Sequence, residues 1–231
     1  MDNGTSPAVI EHFNRVALLP DNWDHNRQYQ NGMLRRIPQK TPESGLEIGC
    51  GTGEFCRKLA QRCRRVVGID VAPGMIAEAK KRNAAPNIEY INTDAASFLT
   101  GRENEFDVIT SIAAFHHMDM EQALLRCERA LKGGGVLVVQ DLYQENTLIF
   151  KLLSLLGAVV NPFFMLVKNG RLRVTKEERR VWAAHSPDDV YGTLAQIRAL
   201  AAKTLGTVQM KRHIFWRYTL AYQKPSQPEK P

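Results

Sequence analysis

A glycine-rich segment is the first candidate for ligand chemistry. Residues 46–55 read LEIGCGTGEF, so that an apolar run leads directly into glycines at positions 49, 51 and 53. Glycine adopts positive φ without steric cost and lets a ligand approach the backbone closely. The third glycine follows after one residue, whereas the dinucleotide fingerprint G-x-G-x-x-G has two residues there. The spacing therefore predicts a ligand-binding turn and argues against a pyrophosphate ligand.

Two aspartates end the next two apolar runs. Asp70 lies 21 residues beyond Gly49, close to the roughly 20 expected for an acid that binds a ribose diol. Asp94 ends the following run, YINTD. Taken alone, Asp70 also fits a helix cap before Pro73, and Asp94 also fits a turn residue. Together with the glycine turn, and in this order, they predict a nucleoside-binding site at neighbouring strand ends.

A histidine pair follows the fourth apolar run, in the sequence SIAAFHHM at residues 111–118. Because imidazole titrates near neutral pH, His116 and His117 are candidates for a general base beside a bound ligand. We prefer His116; the alternative, in which both rings only shape the loop or contact the ligand, stays open. The six histidines show no metal-ligand spacing, and no metal is predicted.

The elements that must position these residues alternate from residue 45 to about residue 143. Five near-continuous apolar runs predict strands covered on both faces, at 46–48, 66–69, 88–91, 108–112 and 136–139. Helical patterns lie between them, including one that opens at Pro73 and one with Asp119 as N-cap and Gly133 as its stop. Alternating strands and helices predict an α/β fold with a parallel sheet.

The alternation ends after Tyr143. Residues 144–187 are predicted to form an insert with an apolar part at 148–167 and a basic part at 168–180. A helix with Ser186 as N-cap is predicted next, ending near Leu205, and the runs 208–214 and 216–223 predict two strands joined by a tight turn. We therefore divide the chain into an N-terminal helical segment over the site (1–40), a core (41–143), a cap insert (144–187), a final helix and strand pair (188–224) and a mobile tail (225–231).

Composition narrows the class of protein. The 231 residues are 44% hydrophobic and 24% charged, as expected for a folded globular domain. The net charge of +7 is spread along the chain, which disfavours a nucleic-acid partner, although basic surfaces also attract anionic lipid. The four cysteines form no C-x-x-C pair, so neither disulfides nor a zinc site are expected. The first residues show no signal-peptide pattern, and a cytoplasmic location is expected.

The stretch from about residue 45 to residue 143 resembles the class I S-adenosylmethionine (SAM)-dependent methyltransferase family. The resemblance is carried by EIGCGTG at 47–53, by LKGGGVL at 131–137 before the fifth strand, and by the final strand pair. It implies a doubly wound, mostly parallel seven-stranded sheet with an antiparallel last strand, plus a helical cap insert. It also implies SAM as cofactor, S-adenosyl-L-homocysteine (SAH) as its product, and methyl transfer as the activity.

The same resemblance implies where SAM binds. It places the methionine moiety against residues 49–51, the ribose hydroxyls on Asp70, and adenine between Val71 and Met75. It places the adenine amine near Asp94 and the methionine ammonium near Glu47. The predicted cofactor-binding residues are Glu47, Gly49, Cys50, Gly51, Gly53, Asp70, Val71, Met75, Asp94, Ala95, Ser111 and Tyr29.

Two segments are candidates for the acceptor site. In the family that the chain resembles, polar-aromatic segments such as 23–29 fold over SAM, and the insert adds aromatic residues. The predicted substrate residues are Trp23, His25, Asn26, Phe163 and Phe164. The alternative for both segments is ordinary packing on the sheet. Aromatic and apolar residues favour a small, partly apolar acceptor, whose reacting atom stays open between oxygen, nitrogen and carbon.

The sequence also offers alternatives to a small-molecule acceptor. The sequence NPFF at 161–164 resembles the motif of amino-methylating enzymes, but it follows the fifth strand instead of the fourth. An RNA or protein methyltransferase, and a SAM-binding module without transfer activity, stay as alternatives. Peripheral membrane contact through residues 148–173 is a further expectation, because this segment joins an apolar run to basic residues. The sequence does not predict the oligomeric state.

Overall fold

A computed structural model describes residues 6–20, 25–38, 40–145, 147–170, 175–183 and 191–226. The strands are β1 (Ser44–Ile48), β2 (Arg65–Asp70), β3 (Ile88–Asn92), β4 (Phe106–Ile112), β5 (Leu131–Leu142), β6 (Gln209–Arg212) and β7 (Arg217–Gln223). The helices are α1 (Pro7–Val16), α2 (Gln30–Leu34), α3 (Glu54–Leu59), α4 (Pro73–Arg82), α5 (Ala95–Leu99), α6 (Met120–Ala130), α7 (Leu148–Asn169), α8 (Lys176–Ala183) and α9 (Leu194–Leu205). Short 3₁₀ turns span Arg27–Tyr29 and Phe115–His117.

The strands form one sheet in the order β3-β2-β1-β4-β5-β7-β6. The first five strands pair in parallel, and β7 pairs antiparallel with both β5 and β6. The prediction of a mostly parallel seven-stranded sheet with an antiparallel last strand is confirmed. The strand order reverses between β1 and β4. In doubly wound sheets, ligands bind in the crevice that this reversal opens at the carboxyl ends of the strands.

Helices cover both faces of the sheet and bury its apolar runs. On one face, Leu124 of α6 and Ile197 of α9 belong to the same buried cluster as Leu137 of β5. On the other face, residues of α3 and α4, including Leu59, pack with residues of the central strands. Strands covered on both faces must be apolar throughout, which explains the near-continuous runs in the sequence.

Local signals set the helix ends, with two corrections. Asp119 caps α6 as predicted, since its carboxylate accepts a hydrogen bond from the Gln122 backbone N–H at 3.1 Å. However, α6 ends before Gly133, because β5 already begins at Leu131. The predicted start of the last helix after Ser186 is wrong for α9. This helix begins after Thr193, whose capping box satisfies the free N–H groups there, while residues 184–190 lie outside the described part of the chain.

The apolar part of the insert forms one helix, α7, of 22 residues. The Thr147 side chain caps its start, and Gly170 ends it in the left-handed conformation. Pro162 lies inside this helix and does not end it. Proline removes one backbone hydrogen bond there, and contacts of α7 with the rest of the fold hold the residues on both sides of it in place.

Candidate active site

One large cavity lies at the carboxyl ends of the central strands. It has a volume of about 1020 Å³ and extends from the glycine turn after β1 to the inner face of α7. Its lining includes Gly49, Asp70, Asp94, His116 and Asn161. The structure therefore brings the glycine turn, both predicted aspartates and the preferred histidine into one space, although they follow four different strands.

The glycine turn requires its glycines. Gly49 and Gly53 have φ of 69° and 83°, in the left-handed region that L side chains rarely adopt. A Cβ on Gly49 would lie 2.4 Å from Ala114 Cβ, and one on Gly53 would lie 2.4 Å from Tyr90 Oη. The turn can therefore pack against Ala114 of the loop after β4 and against Tyr90 of β3 only because these positions lack side chains.

Asp70 is held in one orientation by the backbone. Its Oδ2 accepts a hydrogen bond from Gly51 N–H and its Oδ1 accepts one from Ala72 N–H, both at 2.9 Å. Burial raises the pKa of this carboxyl above its ordinary value, and the two backbone donors oppose that shift. Each carboxylate oxygen keeps a second lone pair, so that Asp70 can still accept hydrogen bonds from a ligand.

Asp94 caps the short helix α5. Its Oδ1 accepts a hydrogen bond from Ser97 N–H at 2.8 Å. Burial alone would raise its pKa, but hydrogen bonds from Ser97 and the local backbone lower the pKa below its ordinary value. Asp94 is thus a helix cap and not the turn residue that the sequence offered as its alternative role, and it also lines the cavity beside Ala95, as Val71 and Met75 do.

Glu47 is a buried carboxyl at the floor of the cavity. Its side chain is 1% exposed and accepts a hydrogen bond from the Thr110 hydroxyl on β4. Burial raises its pKa to about 8, against the opposing effect of the Thr110 hydrogen bond. Burial thus favours the protonated form of Glu47, whereas a cationic ligand group beside it would favour the carboxylate.

His116 is paired with a buried acid, Asp141. Its Nδ1 lies 2.6 Å from Asp141 Oδ1, and its backbone N–H donates to Asp141 Oδ2 at 2.9 Å. Asp141 is 1% exposed, on β5 next to the strand that precedes the histidines. Where Asp141 accepts the hydrogen bond, Nδ1 is the donor, and the neutral imidazole then has its lone pair on Nε2. This pair has the form of a base and its orienting group.

Sequence reasoning missed Asp141, although a usable signal existed. It follows the apolar run of β5 in the same way that Asp70 follows the run of β2. His117, the other candidate, packs its ring against His116 at 4.0 Å and against Phe13 of α1 at 5.6 Å. Both histidines line the cavity.

The N-terminal segment closes one end of the cavity through His25 and Asn26, which both line it. The His25 ring stacks on Phe215 at 4.2 Å, and its Nε2 lies 2.9 Å from Asn161 Oδ1 of α7. Asn26 Oδ1 accepts a hydrogen bond from Arg217 Nε at 2.8 Å. Trp23, the other candidate in this segment, lies outside the described residues.

Other predicted site residues lie beside the cavity instead of lining it. The Tyr29 hydroxyl donates to the carbonyl of Ile214 at 2.8 Å, and the Ser111 hydroxyl donates to that of Ile48 at 2.9 Å. Gly53 forms the N-cap of α3. Of the two phenylalanines of α7, Phe163 is exposed and Phe164 packs edge-on against Phe215.

The hairpin between β6 and β7 supplies residues that the sequence did not mark. Phe215 and Trp216 have positive φ values of 58° and 57°, and Trp216 and Arg217 line the cavity. The Trp216 indole N–H donates to Ser154 Oγ of α7 at 2.6 Å. Met165 of α7 completes this mixed aromatic, apolar and polar wall. Among the described residues, no group of three or more His, Cys, Asp or Glu side chains is arranged to hold a metal ion.

The fold and the site together define a nucleoside-binding protein of the doubly wound α/β class. Residues 46–139 match the family described as a methyltransferase domain. An uncharacterized methyltransferase of Synechocystis is 31% identical over 147 residues, 62% of this chain and 67% of the relative. The chain belongs to the class I SAM-dependent methyltransferase family.

Two further proteins are similar to the chain over different lengths. A ubiquinone biosynthesis O-methyltransferase of Saccharophagus degradans is 34% identical over 93 residues, 39% of each chain. The first curated relatives are thus matched over less than two thirds of their own length. The N-methyltransferase NodS of Bradyrhizobium japonicum, solved with SAH, has a TM-score of 0.65 at 21% identity, covering 95% of this chain and 100% of that one. At this identity, the likeness shows a shared fold.

Proposed function

We propose that the protein transfers a methyl group from SAM to a small, partly apolar acceptor. The observation that carries this proposal is the single cavity that joins the glycine turn and Asp70 to the His116–Asp141 pair. Its volume of about 1020 Å³ is at the top of the roughly 300–1,000 Å³ found for one drug-sized ligand. The cavity therefore has room for a nucleoside cofactor and an acceptor side by side.

The residues at the strand ends fit SAM. Asp70 presents a carboxylate that two backbone N–H groups hold in place for the ribose hydroxyls, and Asp94 lies on the same wall for the adenine amine. Gly49, which packs against Ala114 without a side chain, lines the cavity where the methionine moiety would lie. Glu47, buried below the turn, would become the counter-charge of the methionine ammonium. Bound SAM would supply a sulfonium methyl group for in-line displacement by an acceptor atom.

The His116–Asp141 pair supplies the proton chemistry. An acceptor oxygen or nitrogen that attacks the methyl group must lose a proton, and His116 Nε2 is the base that receives it. Asp141 holds the imidazole in the required tautomer and stabilises the cation that forms. An acceptor that is a tertiary amine has no proton to lose and would need no base. The presence of the pair therefore favours an acceptor that carries an O–H or N–H group.

The acceptor end favours a small molecule with apolar surface. Its wall combines Met165 and Trp216 with the polar pair of His25 and Asn161. Such a wall binds an apolar body and orients it through a few polar groups. The relatives include an O-methyltransferase and an N-methyltransferase by name, which is consistent with either acceptor atom.

The experiment uses methyl-tritiated SAM, purified protein and a host-cell extract, with label counted in organic, aqueous, protein and RNA fractions. We expect label in a small organic-soluble product. Asp70→Asn should abolish transfer and SAM binding. The matched control is Asp107→Asn, because that aspartate also accepts backbone and side-chain hydrogen bonds but lies near the amino-terminal end of β4 and does not line the cavity.

Each alternative predicts a different outcome. Label in RNA or protein would overturn the small-molecule acceptor while leaving the cofactor assignment in place. SAM binding without transfer into any fraction would identify a binding module. Equal loss of transfer in both variants would show that Asp70 acts through the fold instead of through SAM.

A further inference from the structure

The outer face of α7 is the largest set of exposed apolar side chains among the described residues. Eight large hydrophobic residues of this helix are each at least 46% exposed: Leu148, Leu152, Leu155, Leu156, Val159, Phe163, Leu166 and Val167. At 100° per residue they fall within an arc of roughly 120°, so they form one continuous stripe along the helix. An apolar patch of this extent on a folded protein marks an interaction surface.

The opposite face of α7 belongs to the candidate active site. Ser154 accepts a hydrogen bond from Trp216, Asn161 pairs with His25, and Met165 is buried in the cavity wall. By length and apolar composition alone, Phe150–Val167 is long enough to cross a membrane. Crossing would break these contacts and expose their polar groups to lipid, where unsatisfied groups are costly. The helix therefore lies on the fold and offers only one face to a partner.

Basic residues accompany this apolar face. Lys151 lies on the exposed side of α7, and the following residues 168–180 contain six lysines and arginines but only two acids. Of the two acids, Glu178 is buried and caps α8 by accepting a hydrogen bond from Thr175 N–H. Among the described residues of this region, the exposed charges are Lys151, Lys176, Arg179 and Arg180 against Glu177, so the surface is net positive, like the chain as a whole, which carries +7.

Trp182 of α8 connects this surface to the cavity. Its ring lines the cavity and is at the same time 48% exposed, so it lies on the cavity rim. Tryptophan is enriched where protein meets the membrane–water interface. A surface that rests on α7 and α8 would thus lie beside an opening of the proposed acceptor site.

We propose that the outer face of α7 docks on an anionic lipid bilayer and that the acceptor, an amphiphile held in that bilayer, enters the cavity from there. The apolar stripe would lie in the interface, with the basic residues at the headgroups, which is how interfacial amphipathic helices bind. A second copy of the chain is a weaker occupant. A two-fold contact through this face would set the same net positive surface on both subunits, whereas anionic headgroups complement its charge. The acceptor part of this inference rests on the proposed function.

The test is co-sedimentation of the full chain with phosphatidylcholine vesicles, with and without phosphatidylglycerol. Leu155→Gln/Val159→Gln removes two apolar side chains from the centre of the stripe, and Leu18→Gln, at a 74% exposed position outside α7, is the control. We expect the double variant to lower the vesicle partition coefficient by roughly tenfold or more, because two side chains lose their apolar burial. Binding should also fall with salt, because anionic lipid contributes. Circular dichroism checks that all proteins remain folded.

Three results would overturn the docking surface: no binding of the wild type to anionic vesicles, equal binding of the double variant, or a wild-type dimer that the double variant dissociates. SAM binding by equilibrium dialysis and methyl transfer to a membrane extract are measured separately. Vesicle binding without SAM binding would leave the surface standing and overturn the proposed function. Label that enters a water-soluble product equally in both proteins would overturn the bilayer acceptor alone.

Discussion

Glu47→Gln should stabilise the empty protein while weakening its cofactor site. The variant keeps the size of the side chain and its capacity to accept a hydrogen bond from Thr110, but it cannot ionise. In the native protein, burial raises the pKa of Glu47 from 4.5 to about 8. Between these pH values the folded state binds a proton that the unfolded state has lost. The wild type therefore loses stability as the pH rises from 4.5 to 8, and the glutamine variant lacks this loss.

The size of the effect follows from the same shift. One pKa unit corresponds to about 1.36 kcal/mol, and pH 7 lies 2.5 units above the ordinary value of 4.5. Glu47→Gln should therefore raise the free energy of unfolding by up to about 3 kcal/mol at pH 7. The gap between variant and wild type should widen by about 1.4 kcal/mol for each pH unit between pH 5 and pH 8.

Urea unfolding curves at a series of pH values, followed by circular dichroism, measure this gap. Glu89→Gln serves as the control, because it makes the same chemical change at an exposed position. In parallel, the SAM dissociation constant of Glu47→Gln should rise about ten- to a hundredfold, as expected for loss of a charged hydrogen-bond partner. Parallel pH profiles for wild type and Glu47→Gln would refute the reasoning, because Glu47 would then ionise alike in the folded and unfolded states.

Two further variants test the site. Asp141→Asn removes the carboxylate that orients His116. We expect kcat to fall by about 10²–10⁴-fold, while the SAM dissociation constant measured by equilibrium dialysis stays unchanged. A matching loss of SAM affinity would contradict a positioning role. Gly53→Ala places a Cβ 2.4 Å from Tyr90 Oη, whereas Gly101→Ala, at a similar positive φ, meets nothing within 4 Å. The first should cost about 1–3 kcal/mol more stability than the second in thermal unfolding, and equal losses would show that φ strain alone matters.

The sequence predicted the elements whose signals are local. The apolar runs identified the parallel strands, because strands buried on both faces need apolar side chains throughout. The turn at Gly49 and the acids Asp70 and Asp94 were found because adjacent strand ends meet at one edge of the sheet. Each of these features depends on neighbours within a short stretch of chain.

The end of the cavity that we propose for the acceptor depends on contacts between distant segments, and there the sequence was insufficient. Asn26 meets Arg217, and His25 meets Asn161, across more than a hundred residues of chain. No local periodicity encodes such pairs. The continuity of α7 through Pro162 also depends on contacts with the rest of the fold, which outweigh the local preference of proline to interrupt a helix.

The hairpin at Phe215 and Trp216 has a consequence for how this enzyme class can diversify. Two bulky residues with positive φ each raise the free energy of the folded state by about 1–3 kcal/mol, a cost that Asn-Gly would avoid. This conformation lets the Phe215 ring stack on His25 and lets the Trp216 indole N–H donate a hydrogen bond to Ser154 of α7. A tighter, more stable turn would therefore loosen the acceptor wall without touching the glycine turn. Substitutions in this hairpin could therefore change which acceptor binds without changing the residues that bind the cofactor.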